Sequence, residues 1–492
     1  MHPQIVQGGM GVGISGWLLA KTVSLLGGLG VVTGVGLWVI MARVLQDGDP
    51  GGHYRRALAA FPDQTIVQTI LDRYFLPEGR KGEPYLNVPM MTLRLPGKSQ
   101  QGPLTKDLES LMVVAGFAEV WLAKEGHAGV VGINLLEKVQ LGLLPVLYGA
   151  MLAGVDYVLM GAGLPVQIPG VLDLLAQHQP VQYQIDVKGA KKEDDFAATF
   201  DPQRFGSLAP LRRPYFFAII SLALAAKLLA KYGVDGWIIE GHTAGGHNAG
   251  PRGKTIGANG EPEYGPRDEV DIDQIRSYGL PYWLAGSYAS PEKLQEALEL
   301  GATGIQVGSI FALSGESGMD PALRHQVISQ RRDGTLEIFT DPYFSPSGFP
   351  FKVTNTPGTI TDDTVTRLLN CDIGILRIPY KQSNGRLMYG CPSEPPADFL
   401  KKAHAVEGFD AEGNAVEGWE EKVLAETMGR SCICNGLYST MGCGQVCADG
   451  SIEPAVVTLG SELDFLYHFL GDDGEEYSAE EAWNYLNTPV SV

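Results

Sequence analysis

Cysteine is scarce and late. The 492-residue chain has six, at 371, 391, 432, 434, 443 and 447, so everything before position 371 is without a disulfide framework or a thiolate metal site. No charged n-region with an apolar h-region and cleavage site opens the sequence, and the expectation is reduced thiols in a cytoplasmic protein. Positive charge is also short. Lys and Arg number 37 against 56 Asp and Glu, a net charge of −19. Such a field repels phosphate backbones and anionic bilayers, so neither nucleic acid nor a membrane is expected as a partner. A small-molecule substrate fits better, a homo-oligomer is allowed, and an anionic cofactor would need a local site. Apolar runs of membrane length are missing too. Residues 14–45 come nearest, but Lys21 and Arg43 interrupt them, and Gly27, Gly28, Gly30, Gly34 and Gly36 weaken a continuous helix. That stretch reads as a buried helix, a turn at Gly27 and Gly28, and a buried strand over 29–33. No Gly-X-Y period, solenoid repeat or low-complexity tail is present.

What remains is a globular composition, 45% hydrophobic and 19% charged, with 63 glycines and 31 prolines to make turns. Short apolar runs ending in Gly, Asn or Ser alternate with helical segments through the first 330 residues. Strands are expected at 4–7, 29–33, 130–135, 157–160, 182–187, 236–240, 282–285 and 304–307. Helices are expected at 18–26, 139–153 and 291–300, and 215–230 reads as a short strand running into a core helix. This order of strands and helices implies a parallel sheet with helical crossovers. About eight repeats favour an α/β fold closed as a TIM (β/α)8 barrel. Residues 46–112 break the rhythm with Gly/Pro clusters and read as an insertion or lid. The expected organisation is a barrel over 1–335 and a C-terminal extension over 336–492 packed on it.

Three local patterns carry chemistry. In the βαβ unit over 280–311, Leu-Ala-Gly-Ser and Gln-Val-Gly-Ser end two neighbouring strands in small residues. Gly286, Ser287, Gly308 and Ser309 therefore offer bare backbone N–H groups at one rim, where late strands of this barrel class bind phosphate. A Gly-rich loop over 241–250 follows the strand ending at Glu240 and carries His242 and His247. His247 is the candidate base; the H-x4-H spacing lacks a third metal ligand. Near the start, Gly11, Gly13 and Gly16 satisfy G-x-G-x-x-G after a strand, but 29–41 lacks the acid a dinucleotide site needs at its second strand. The preferred reading puts Gly9 and Met10 under a planar ring, with the polarizable Met against it.

Together these pieces resemble the nitronate monooxygenase family, the former 2-nitropropane dioxygenases, which are FMN-dependent TIM-barrel enzymes. The shared pieces are Gln-Gly-Gly-Met-Gly at 7–11, Gly-Gly-Leu-Gly at 27–30, Gly-Ile-Asn-Leu at 132–135, Ala-Gly-Gly-His at 244–247 and the two Gly-Ser strand ends. Flavin enoyl reductases, including the reductase component of polyunsaturated fatty acid synthases, share this frame. The resemblance implies FMN at Asn134, Glu240, Gly245, Gly286, Ser287, Gln306, Val307, Gly308 and Ser309, with His247 as catalytic base; Asn87 competes with Asn134. It departs from the family at Thr243, usually Glu, at Glu240, often Gln, and at Gly308-Ser309, usually Gly-Thr. An ionised Glu240 beside an electron-rich flavin is unfavourable, so it is expected to be protonated or turned away.

Arg377, Tyr380, Cys391 and 432–437 look like the C-terminal region of larger relatives, without an assigned role. The C-x-C-x8-C-x3-C spacing at 432–447 matches no standard zinc or iron–sulfur pattern, so buried free thiols and no metal are expected. The activity implied is oxidation of alkyl nitronates with FMN and O2. The alternatives are an NAD(P)H-dependent enoyl-thioester reductase and, in another class, a non-catalytic barrel binding a phosphorylated ligand.

Overall fold

The computed structural model describes residues 2–206, 209–253, 255–365, 371–382, 384–407, 416–470 and 476–490. Eight short strands form one parallel sheet: β1 Ile5–Gln7, β2 Gly30–Thr33, β3 Val131–Leu136, β4 Tyr157–Gly161, β5 Tyr215–Ile220, β6 Gly236–Glu240, β7 Tyr282–Ala285 and β8 Gly304–Val307. From β2 to β8 each strand pairs with the next in chain order, and β8 returns to β1 with Val6 beside Gln306. A parallel bridge between Val6 and Leu29 joins β1 to β2. There the Gln7 N–H donates to the Leu29 carbonyl and the Leu29 N–H to the Ile5 carbonyl, both at 3.0 Å. The ring is thereby closed, and the fold is the TIM barrel expected from the sequence. Large side chains fill its interior: Leu159, Phe217, Ile238 and Trp283 are fully buried in one cluster with Val6 and Leu29. A filled barrel forces ligands to its rims.

One strand of the sequence reading is corrected. Residues 182–187 do not enter the barrel. The strand there, Val181–Gln184, pairs antiparallel with Ala197–Phe200 in a small side sheet that also contains Gln101–Gly102. Its side chains alternate buried and exposed, as a one-faced strand requires. The barrel position belongs to β5, within the segment that reads as a strand running into a helix. Phe216, Phe217 and Ala218 there are all fully buried, as a strand covered on both faces demands.

The apolar stretch near the start is the helix Trp17–Leu25, then β2, then the helix Leu37–Gln46. Among the described residues no helix is long and apolar enough to cross a membrane. Residues 46–112 supply the helices His53–Ala59 and Gln64–Tyr74 and the start of the long crossover helix Lys106–Lys124. That crossover helix lies against Leu143–Leu152 at glycine: a Cβ on Gly116 would stand 2.6 Å from the Val146 carbonyl oxygen.

The later residues pack onto the same core. The helix Ile433–Thr440 places Tyr438, fully buried, with its hydroxyl donating to the Gly36 carbonyl at 2.8 Å. Gly36 has φ of 75°, and a Cβ there would collide with that hydroxyl. Arg43 donates to the Cys443 carbonyl at 2.6 Å and lies 5.0 Å from the ring centroids of Tyr438 and Tyr85. All six cysteines are free thiols.

Tyr438→Phe keeps the ring and removes one bond to the Gly36 carbonyl, which still accepts from the Val39 and Ile40 N–H groups. The expected cost is about 0.5–1.5 kcal/mol, read as a lower melting temperature. Unchanged melting would show that the Gly36 contact does not help anchor this helix.

Candidate active site at the carboxyl rim of the barrel

β1, β7 and β8 all stop in small residues, Gly8-Gly9, Gly286-Ser287 and Gly308-Ser309, and the chain beyond each turns away from the barrel mouth. One cavity at this rim is lined by Gly9 and Met10 from the first loop, Asn134 from β3, Glu240 and Gly245 from β6 and its loop, and Gly286 and Ser287 after β7. Gln306, Val307, Gly308 and Ser309 complete it, so it brings together all eleven cofactor-site residues named from the sequence.

Close packing explains the glycines. A Cβ on Gly9 would stand 2.6 Å from Asn134 Cβ, and one on Gly308 2.7 Å from Met10 Sδ. Met10 thus lies flat against the β8 turn, with its methyl 3.0 Å from where a Gly245 Cβ would be. Gly286 has φ of 90° and Ser287 φ of 61°. A non-glycine residue in the left-handed region is strained, a feature that clusters at ligand clamps. Three buried polar atoms on this cavity have no hydrogen-bond partner among the described residues: Asn134 Oδ1, Ser287 Oγ and Gln306 Oε1. Each such orphan costs about 1–3 kcal/mol if nothing meets it. The Ser309 hydroxyl accepts from the Gly460 N–H at 2.8 Å, which brings the C-terminal region to the cradle.

A second cavity continues from the first, sharing Gly9, Met10, Asn134, Glu240 and Gly245 with it and adding His247. Its other walls are mostly apolar, with Val12, Val35, Leu136, Ala162 and Ile219 from the barrel mouth and Phe351, Ile375, Leu376, Ile433 and Leu437, beside Cys434 and Thr458, from late in the chain. The sequence reading singled out 432–437 without assigning a role and did not name Phe351, Ile375, Leu376 or Thr458. Apolar residues mark burial but not what is buried. The Gly-rich loop is held in place by the same region. The Gly246 N–H donates to Thr458 Oγ1 at 2.7 Å, the Lys352 N–H to the Gly246 carbonyl at 3.0 Å, and the Asn248 N–H to the Pro350 carbonyl at 3.1 Å.

His247 reaches the second cavity with Nε2 2.7 Å from Ser345 Oγ and its ring edge-on to Phe351, centroids 4.8 Å apart. Burial pushes its pKa down to about 4, so the imidazole is neutral at pH 7. Glu240 lines both cavities and a third beyond, and burial pushes its carboxyl up to about 8. It is thus a neutral acid near pH 7, set among cavity walls. Of the two outcomes the sequence allowed for Glu240, turning away does not fit its place in the cavity walls, and burial favours the protonated form. The pair stands with values forced apart in opposite senses by the same desolvation, an arrangement suited to one proton acceptor and one donor.

The other sequence candidates lie elsewhere. His242 is exposed and stacked on Tyr264 at 4.2 Å, away from the cavities that His247 lines. Asn87 is exposed, its Oδ1 accepting from Gln445 Nε2 at 2.9 Å, while Asn134 lies in both cavities. No residue of 46–112 lines these cavities. Arg377 donates to the Met91 carbonyl at 2.7 Å and Tyr380 is fully buried near Phe399. Among the described residues no group of three or more His, Cys, Asp and Glu is arranged to hold a metal ion.

Residues 184–342 match the family model described as nitronate monooxygenase. That span contains Glu240, His247 and both Gly-Ser strand ends, so the match falls on part of the stretch that carries the motif resemblance. A nitronate monooxygenase of Pseudomonas aeruginosa is 31% identical over 125 residues, 25% of this chain and 34% of that protein. A 5-hydroxy-7a-methyl-1-oxo-octahydro-1H-indene-4-carboxyl-CoA dehydrogenase of Rhodococcus jostii is 31% identical over 138 residues, 28% of this chain and 33% of that protein. The chain thus spans about a third of the length of the curated relatives it matches. Among solved structures, FabK from Thermotoga maritima is similar with a TM-score of 0.45 at 15% identity, covering 99% of this chain and 91% of that one.

The two shifted groups set opposite pH slopes. Between its ordinary value of 4.5 and about 8, folded Glu240 keeps a proton that the unfolded chain has released, so its contribution to stability falls as pH rises. Between about 4 and 6.5, folded His247 lacks a proton that the unfolded chain binds, so its contribution rises with pH. Glu240→Gln removes the first slope. The melting temperature of this variant relative to wild type is expected to climb steadily from pH 5 to pH 8.5. Parallel curves would refute the placement of a neutral carboxyl at the rim.

Proposed function

We propose that the chain is an FMN-dependent oxidoreductase of the nitronate monooxygenase type, oxidising alkyl nitronates with O2. The observation that carries this reading is the convergence of Asn134 Oδ1, Ser287 Oγ and Gln306 Oε1, all buried and unpartnered, on one glycine-lined cavity at the rim of the barrel. Two acceptors and a hydroxyl in one pocket fit a ligand that offers N–H or O–H donors and also carries an anion. FMN is such a ligand: its phosphate would rest on Gly286, Ser287, Gly308 and Ser309, and its ring over Gly9 and Met10. The flavin supplies the redox chemistry when bound.

The side chains then have simple tasks. The strand-end amides hold the phosphate without a lysine, which suits a strongly acidic chain. Phe351, Ile433 and Leu437 exclude water from the second cavity. A neutral Glu240 leaves no fixed negative charge against an electron-rich ring and offers a proton or hydrogen bond there. His247, neutral and hydrogen-bonded to Ser345, is a weak base, because a group with a pKa near 4 gains little by taking a proton from carbon. A nitronate, already deprotonated, makes no such demand. The site therefore favours nitronates over neutral nitroalkanes.

A second reading is an NAD(P)H-dependent enoyl-thioester reductase, with Glu240 or His247 placing the proton. It is favoured by a largely apolar groove of about 750 Å³ that opens onto both residues and is far larger than a small nitronate needs. The carboxyl-CoA in the name of the Rhodococcus relative accords with it. A non-catalytic phosphate-binding barrel is the rival of another class.

Purified protein is expected to be yellow, and to release FMN on denaturation. Anaerobic propionate 3-nitronate bleaching the flavin supports the first reading, and bleaching by NAD(P)H alone the second. Colourless protein that takes up no FMN would sink both. With activity in hand, kcat/KM for a nitronate should exceed that for its parent nitroalkane by about 100-fold or more, the scale of a missing general base. Gly308→Val, which fills the space of Met10, should lower bound FMN by at least about tenfold with the circular dichroism spectrum retained.

A further inference from the structure

The large groove has a charge pattern unlike the rest of the molecule. It starts at Ala162, Ile219, Glu240 and His247, which also line the second cavity, and runs outward along the helix Ala223–Leu229 and the turn Ala230–Tyr232. Two large apolar side chains on its wall stand in water: Leu224 is 69% exposed and Leu228 39%. They are four residues apart, so they form one row on the helix. Lys227 and Lys231, also four apart, form the next row. Both lysines are exposed, and neither makes an ion pair among the described residues. Among the described residues the only acidic one on the groove is Glu240, at its inner end, where burial favours its neutral form. In a chain of net charge −19, an apolar trough with two unopposed cations and no carboxylate along its length is a local exception.

We propose that this groove holds a single-chain organic anion. Its reacting end lies at Glu240 and His247, its apolar length on Leu224 and Leu228, and its charged group on Lys227 and Lys231. This rests on the reading above only for what happens at the inner end. A helical rise of about 1.5 Å per residue puts Lys227 about 6 Å along the axis beyond Ala223, the first residue of the helix, and Lys231 lies further out, in the turn Ala230–Tyr232. The charge recognised is therefore well removed from the reacting atoms, out of reach of a two- or three-carbon nitronate. It belongs to a carboxylate at the far end of a chain or to a phosphate on an extended arm. Lys227 and Lys231 are then specificity-determining residues. Leu224 and Leu228 are exposed because the ligand is what covers them.

The test uses the full chain as purified, with calorimetric titration of decyl phosphate, decanoate and decanol at low salt. Wild type is expected to bind at least one of the two anions about tenfold tighter than the alcohol. In Lys227→Glu/Lys231→Glu that preference should fall below about twofold, with decanol affinity unchanged. Ala225→Trp, which narrows the groove, should weaken all three ligands. A preference for decyl phosphate over decanoate identifies a phosphate-bearing arm as the source, and the reverse identifies a free acid; either supports the proposal. Decanol binding as tightly as both anions, or a preference that survives charge reversal, overturns it. Flavin absorbance of the same samples separates the two readings. Yellow protein without the preference sinks the groove proposal alone. Colourless protein with the preference supports the groove and sinks only the flavin reading.

Discussion

The rim of this barrel is organised by how closely backbone can approach backbone where β1, β7 and β8 end. Glycine at 9, 286 and 308 lets three chain turns crowd Asn134, Thr243 and Met10 to distances at which a single methyl would clash. Among the described residues Asn134, Ser287 and Gln306 each leave a buried polar atom at this rim unmet. In a packed interior such atoms normally find partners, because each one left over costs about as much as a hydrogen bond returns. Their persistence here, beside a serine in the left-handed region, marks a surface built to be completed by something else. The cofactor proposal, the neutral carboxyl and the groove all take their positions from this rim.

The C-terminal region does more than cover the barrel. Tyr438 binds the Gly36 carbonyl and Arg43 the Cys443 carbonyl, so the helix Ile433–Thr440 is keyed to the turn that follows β2. Once keyed, it delivers Ile433, Cys434 and Leu437 to the second cavity, while Thr458 and Lys352 pin the loop that carries His247. The low polarity of that cavity is shared between barrel residues such as Val12, Val35, Leu136 and Ile219 and later ones such as Phe351, Ile433 and Leu437. Burial is what shifts Glu240 and His247 in opposite senses.

Charge is used locally against a negative whole. The proposed phosphate cradle relies on strand-end amides and hydroxyls, which add no net charge and are fixed in direction by the barrel. The groove instead uses two mobile lysines at its outer end, where direction matters less. This division matches what each place would have to do: a resident group needs fixed geometry, whereas a transient one needs attraction and room.

Much of the barrel was legible in the sequence because a strand covered on both faces must be apolar throughout and must stop at a turn residue. The exchange of 182–187 for β5 shows the limit of that rule. Val-Gln-Tyr-Gln and Phe-Phe-Ala-Ile-Ile differ by alternation, a difference that decides one covered face against two. Gly286, Ser287, Gly308 and Ser309 were legible because glycine at a strand end reports a backbone constraint that survives without knowledge of neighbours, whereas Asn134, Glu240, Gly245, Gln306 and Val307 were named only through the family resemblance. By itself, then, the sequence determined the closed α/β architecture, the Gly-Ser ends and the loop bearing His247, all set by short-range patterning. Tertiary structure alone decided that burial pushes Glu240 up and His247 down, that His247 meets Ser345, and that the helix Ile433–Thr440 walls the cavity. Those outcomes depend on desolvation and on contacts between segments hundreds of residues apart, and no local pattern encodes either.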